Sequence, residues 1–215
     1  MALKRLNQKT LRKTREKLSS DLVLASANPG KIKELQQMLG GLGFNILPQT
    51  QLNIEDIEET GLSFVENSIL KARNAAAHSN LPAIADDSGL EVDFLDGAPG
   101  IYSARFAGEG ATDATNRDKL LELMKEAPEN QRTARYQTVI VYMRHANDPT
   151  PLICQGTWEG TIALTEKGDG GFGYDPIFQV AETNCRAAEL DKQTKNKISH
   201  RGKAIANLLM RLQSQ

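Results

Sequence analysis

Four short segments carry side chains that could do chemistry on a phosphorylated ligand. The first is Asp86-Asp87-Ser88-Gly89, which follows the apolar run Ala83-Ile84-Ala85. That run reads as a short buried strand ending at the two aspartates. Side chains alternate along a strand, so one carboxylate can face the sheet end while the other anchors the loop. Ligands of open α/β sheets bind outside strand ends. Hard carboxylate oxygens suit Mg²⁺, which takes one or two protein carboxylates and completes its shell with water and phosphate oxygens. Turn capping is the plainer use of such a pair, but the apolarity of the preceding strand favours the ligand reading. The acidic run holding Glu58-Glu59 could supply a second metal ligand, although alone it reads as a solvated loop.

The second segment is Ser26-Ala27-Asn28-Pro29-Gly30-Lys31, between an apolar run and a helical pattern. Backbone N–H groups at a helix start attract anions, Gly30 permits close approach and Lys31 adds charge. An ordinary capped turn explains the same residues equally well. A Walker A loop does not, because Ala25 replaces its first glycine and Ile32 its magnesium-binding Ser or Thr. The third segment is the glycine-dense stretch ending in Phe172-Gly173-Tyr174-Asp175. Its two aromatic rings offer faces on which a base could stack, or they pack a core hairpin; composition does not separate the two. The fourth runs from Lys195 through Lys197, Ser199 and His200 to Arg201, a cluster suited to phosphates and keto oxygens. Singly, each of these residues, like Lys71 and Arg73, is more often a surface charge.

These segments need a scaffold. Leu22 to Ala25 reads as a strand, Lys31 to Leu39 as a helix, and Phe44 to Leu47 as a second strand, an α/β opening. Ser63-Phe64-Val65-Glu66 is a capping box that starts a helix to about Ser79, with Phe64, Ile69 and Ala72 facing inward. Thr115 to Lys125 has helical spacing. Thr133 to Met143 is a long strand rich in Val, Ile and Tyr. Pro151 to Leu164 reads as two strands hinged near Glu159-Gly160, and Ile198 to Leu212 as a final helix. The fold class expected is α/β, with a central mixed β-sheet flanked by helices.

The chain has 215 residues, 40% of them hydrophobic and 25% charged. About 200 residues bury a core without disulfides or a structural metal. No apolar run reaches the ~18 residues needed to span a membrane, and the N-terminus lacks the apolar region of a signal peptide. Cys154 and Cys185 stand outside any CxxC pattern, which indicates reduced thiols in a reducing, cytoplasmic setting. Residues 1–20 hold seven Lys/Arg against one acid, whereas the remainder holds 19 against 26. Residues 1–20 therefore read as a basic, solvated and flexible extension, and 21–215 as one domain. The acidic body is a poor match for nucleic acid.

In this order the segments closely resemble the inosine-triphosphate pyrophosphatase family of bacterial type. Further marks are Glu58-Glu59-Thr60-Gly61, Lys71-Ala72-Arg73, Gly97-Ala98-Pro99-Gly100-Ile101-Tyr102-Ser103-Ala104-Arg105 and Ser199-His200-Arg201-Gly202. The likeness covers residues 22 to about 212. It implies an elongated fold of two lobes with a cleft between them, a homodimer, Mg²⁺ as cofactor, and hydrolysis of ITP, dITP and XTP to the monophosphate and pyrophosphate. By matching position, Ser26, Ala27, Asn28, Pro29, Gly30 and Lys31 would hold the triphosphate. Glu58 and Asp87 would serve the metal, with Asp87 the general base. Ser88, Phe172, Gly173, Tyr174, Asp175, Lys195, His200 and Arg201 would contact substrate. Lys31, Lys71 and Lys195 would steady the departing pyrophosphate, and a donor such as Arg201 would read the purine 6-keto group.

Overall fold

The computed structural model describes residues 21–40 and 43–214. The basic segment 1–20 lies outside the described residues. Six strands form one mixed sheet: β1 (Asp21–Ala25), β2 (Asn45–Pro48), β3 (Ala83–Val92), β4 (Thr133–Met143), β5 (Leu152–Ile162) and β6 (Phe178–Val180). Their spatial order is β2-β1-β3-β4-β5-β6. β1 pairs in parallel with β2 and β3, and every later pair is antiparallel. Among the described residues five α-helices surround the sheet: α1 (Pro29–Gly40), α2 (Phe64–Ser79), α3 (Asp113–Leu123), α4 (Lys192–Ile198) and α5 (His200–Gln213).

Three expectations need correction. The strand expected to stop at Ala85 continues to Val92, so Asp86 and Asp87 sit within a strand. The ladder to β4 continues through both aspartates, and the Asp86 carbonyl, turned to the open side, accepts from Lys71 Nζ at 3.0 Å. They still lie at an edge, because β1 pairs with β3 only as far as Ala25 opposite Ala85. Beyond that point β1 turns away as the Ser26 loop, and the two aspartates line the gap it leaves. The segment expected to be two hinged strands is the single strand β5. Gly160 marks a close backbone approach, since a Cβ there would meet the Gln179 carbonyl at 2.3 Å. The last helix is two. Ser199 is extended (ψ 163°), its N–H closes α4 on the Lys195 carbonyl, and its hydroxyl caps α5 by accepting from the Gly202 N–H.

The capping box at Ser63 starts α2 in a shifted form. The Ser63 hydroxyl accepts from the Glu66 N–H, while the Glu66 carboxylate accepts from the Leu62 N–H at 2.9 Å, one residue beyond the cap. The inward face of α2 is Asn67, Ser68, Ala72, Ala75 and Ala76; Phe64 and Ile69 are half-buried at its margin. Small residues let the helix lie close on the sheet.

The core has three parts. Leu22, Leu24, Ile84 and Ile140 pack under α1 and α5. Val23, Ala25, Ala85 and Val141 pack under α2 on the opposite face. Leu90, Tyr136, Trp158 and Phe178 form a separate cluster with Leu120 and Met124, around the other halves of the long strands. The first two make one lobe and the third makes the other, joined by β3, β4 and β5.

Candidate active site

A cavity of about 570 Å³ opens where the lobes meet. The alternation expected of the paired aspartates holds, and it sends them to opposite faces. Asp86 points with Ile84 toward α1 and α5. It accepts from Thr138, pairs with Lys31 Nζ at 2.9 Å and with Arg201 at 3.2 Å. Burial raises a carboxyl pKa, but Arg201 and Lys31 outweigh it and hold Asp86 well below its ordinary range. A permanently charged, fully buried carboxylate braced by two cations anchors structure rather than moving protons.

Asp87 points with Ala85 toward α2. Its partners are Lys71 at 2.8 Å and the Asn67 amide at 3.5 Å. Here burial wins over Lys71 and Lys31, and the carboxyl is raised. An upward shift is the direction of tuning that favours a general base. Lys71 also bonds Glu59 at 2.8 Å, so one ammonium bridges two carboxylates. Although buried, Lys71 is pushed up by Asp87 and Glu59 and stays charged. Glu58 is exposed on the cavity rim.

The Ser26 loop is a capped turn that also faces the cavity. Asn28 Oδ1 caps α1 by accepting from the Gly30 and Lys31 N–H groups at 2.9 and 3.1 Å. Ser26, Ala27, Asn28 and Lys31 nevertheless line the cavity, while Pro29 and Gly30 stand behind them. Gly30 is required by a protein group: a Cβ there would meet the Phe172 ring at 2.8 Å.

Beside the Ser26 loop the glycine loop presents the half-buried Phe172 ring to the cavity. Tyr174, the other candidate ring, is core: it is 4% exposed and its hydroxyl donates to the Ser103 carbonyl at 2.8 Å. Asp175 is buried, accepts from the Phe172 N–H at 2.9 Å and binds Lys195 at 2.7 Å. Burial raises its carboxyl despite Lys195. Lys195 therefore belongs to the aromatic side, 5.1 Å from the Phe172 ring, and contacts neither Asp86 nor Asp87. It stands with the aromatic ring and apart from Lys31 and Lys71, with which it was grouped at the departing pyrophosphate. His200 stacks on Tyr136 at 4.7 Å and 8°, and burial followed by Arg201 keeps it neutral. Arg201 is committed to Glu34, Asp86 and Ser88, which leaves its Nε buried and without a partner among the described residues. Lys197 is exposed, and Arg73 binds the Ala146 carbonyl away from the cavity.

Sequence reasoning missed Glu34. It holds Lys195 at 2.8 Å and Arg201 at 2.6 Å, and those cations overcome its burial to lower its pKa. The signal was present, for Glu34 stands three residues after Lys31 and so shares its helix face. Tyr136, beneath His200 and bonded to Asp175 at 3.3 Å, was also missed.

Among the described residues the wall carries seven carboxylates against five cations, with His200 neutral. Among the described residues no group of three or more His, Cys, Asp or Glu forms a ready-made metal cage. Mg²⁺ needs no such cage, since one or two carboxylates and phosphate oxygens suffice. Asp87 and Glu59, already bridged by a cation, and Glu58 on the rim offer hard oxygens of the right kind. The residues fit the ion.

A lysine-tipped loop, paired carboxylates and an aromatic pocket thus share one cleft. The model of the Ham1 family matches residues 22–211. The chain belongs to the Ham1 family. It is 55% identical over 194 residues to the dITP/XTP pyrophosphatase of Vibrio parahaemolyticus, covering 90% of this chain and 97% of that one. Against the dITP/XTP pyrophosphatase of Escherichia coli O157:H7 it is 57% identical over 188 residues, 87% and 95% of the two chains. The solved HAM1 protein of Coxiella burnetii superposes with a TM-score of 0.83 at 50% identity, over 91% of this chain and 99% of that one. The Mycobacterium abscessus nucleoside-triphosphatase / dITP/XTP pyrophosphatase gives 0.70 at 38%, over 88% and 98%. The six-stranded mixed sheet is thus a Ham1 fold.

Proposed function

We propose that this chain hydrolyses ITP, dITP and XTP to the nucleoside monophosphate and pyrophosphate, with Mg²⁺ as cofactor. One observation carries the reading: Asp87, Lys31 and Lys71 share a single cavity with the Phe172 ring, His200 and Arg201. The activities for which the Ham1 relatives are named support it.

A purine would lie against Phe172 beside His200, with its 6-keto oxygen toward the donors of that pocket. Adenine presents an amino donor at the same place, and a donor facing a donor is rejected strongly. The phosphates would run toward Lys31 and Lys71. Asp87 accepts a proton from water and aligns it for attack on the α-phosphorus. Lys31 and Lys71 donate to the phosphate oxygens as charge moves onto the pyrophosphate. Asp87 and Glu58 would hold Mg²⁺, which when bound neutralises charge on those oxygens. The excess of carboxylates in the wall supports this assignment, because a polyanion enters such a cavity only with added positive charge.

The direct test is pyrophosphate release from ITP, dITP, XTP, GTP and ATP, with Mg²⁺ and after its chelation. The first three substrates should turn over only with the metal. Equal turnover of ATP and ITP, or full activity in chelator, would defeat the reading. The homodimer is part of the proposal, supported by the family resemblance and checked by light scattering on the eluted protein. A cytoplasmic setting is supported by the two free cysteines.

A further inference from the structure

Among the described residues five cations line the cavity, and four of them are spoken for. Lys31, Lys71, Lys195 and Arg201 each contact a carboxylate at 3.2 Å or less, and each side chain is 16% exposed or less. Arg105 differs. Its side chain is 47% exposed, and its contact with Glu59 is a loose 3.8 Å. Its guanidinium rests over the Tyr102 ring at 5.1 Å, which holds the side chain out without using its N–H donors.

Its place is as informative as its freedom. Arg105 ends the short helical turn Gly100–Arg105, which Gly89 allows to sit directly on β3: a Cβ on Gly89 would meet the Gly100 carbonyl at 2.2 Å. Through Glu59 it adjoins Lys71 and Asp87, the reacting side of β3. The aromatic pocket lies deep, with Asp175, His200 and Arg201 each 4% exposed or less. A nucleotide that enters base-first leaves its terminal phosphates at the mouth, where this cation stands.

Resting on the reading above, we infer that Arg105 binds the β- and γ-phosphates of the substrate, exchanging its loose contact with Glu59 for charge-assisted bonds to the pyrophosphate portion. Guanidinium forks match phosphate oxygens in pairs. Binding would also free Glu59 from Arg105 at the moment positive charge arrives with the substrate.

Calorimetric titration with Mg²⁺-pyrophosphate and, separately, with IMP tests this on Arg105→Ala, Arg105→Lys and the parent chain. Arg105→Ala should weaken pyrophosphate binding about tenfold or more and leave IMP binding within about twofold. Arg105→Lys should recover part of the loss, since it restores charge without the fork. Unchanged pyrophosphate binding by Arg105→Ala would overturn the inference, and so would an equal loss for both ligands, which marks a structural role. Turnover of ITP by the parent chain reports separately on the proposed function.

Discussion

Asp87 and Asp86 are neighbours of identical chemistry that the fold sends to opposite faces, one proposed to accept a proton and the other braced as a strut by Lys31 and Arg201. Asp87→Asn retains an oxygen for Lys71 but cannot take a proton. We expect turnover of ITP to fall by about 10²–10⁴-fold with the circular dichroism spectrum unchanged; near-parental turnover in a folded Asn variant would remove Asp87 from the role. Glu34 is the strut on the other side, bonded to Lys195 and Arg201. Glu34→Ala leaves two buried cations short of a partner. The expected loss is about 3 kcal/mol, or roughly 6–12 °C in Tm for a chain of this size, readable by thermal melting, together with a raised KM for ITP. Residue type alone brought Asp87, Lys31 and Lys71 into view. It did not reveal Glu34, because an acid on a helix usually faces water and its partners lie 161 and 167 positions away. Nor could it rank Phe172 over Tyr174, since that choice depends on which ring the Ser103 carbonyl captures.

At the scale of elements, close approaches between backbones set the site. Gly156 on β5 admits the start of α5: a Cβ there would meet the His200 carbonyl at 2.1 Å. Gly156→Ala must push α5 away and carry His200 and Arg201 with it. The expected outcome is a loss of about 1–3 kcal/mol with a several-fold rise in KM for ITP. A variant that loses stability while binding substrate normally would show that α5 is not the mount we describe. Such approaches leave a mark in sequence, a lone glycine, but the mark does not say what comes near. Gly160 was read as a hinge for that reason. β3 was cut short for a related one: two acids end an apolar pattern, while the ladder that carries the strand onward comes from β4, some fifty positions later. The break at Ser199 left the apolar spacing on either side intact and so was invisible to periodicity.

For the whole molecule, stability should depend on pH through His200. Burial and then Arg201 place its folded pKa below the ~6.5 of the unfolded chain. Between those values the unfolded chain binds the extra proton, so stability rises with pH. The contribution is intact above about pH 6.5 and is lost as pH falls toward the folded value. Tm measured against pH for the parent and for His200→Gln should diverge in slope across that window; parallel curves would contradict the assignment. Removal of residues 1–20 should leave turnover of ITP unchanged, because the family match begins at residue 22. The α/β class, the mixed sheet and the order of its helices were legible because apolar spacing and caps are local. Which residues face each other across the cleft was not, since that is decided by long-range pairing. One property of that pairing bears on how the catalyst works. β3 is hydrogen-bonded to β4 from Ala83 to Val92 and carries the aspartates mid-strand, with a lobe core at each end. The groups proposed to react are therefore riveted to the joint itself, where the β4 ladder keeps their register whichever lobe a nucleotide meets first.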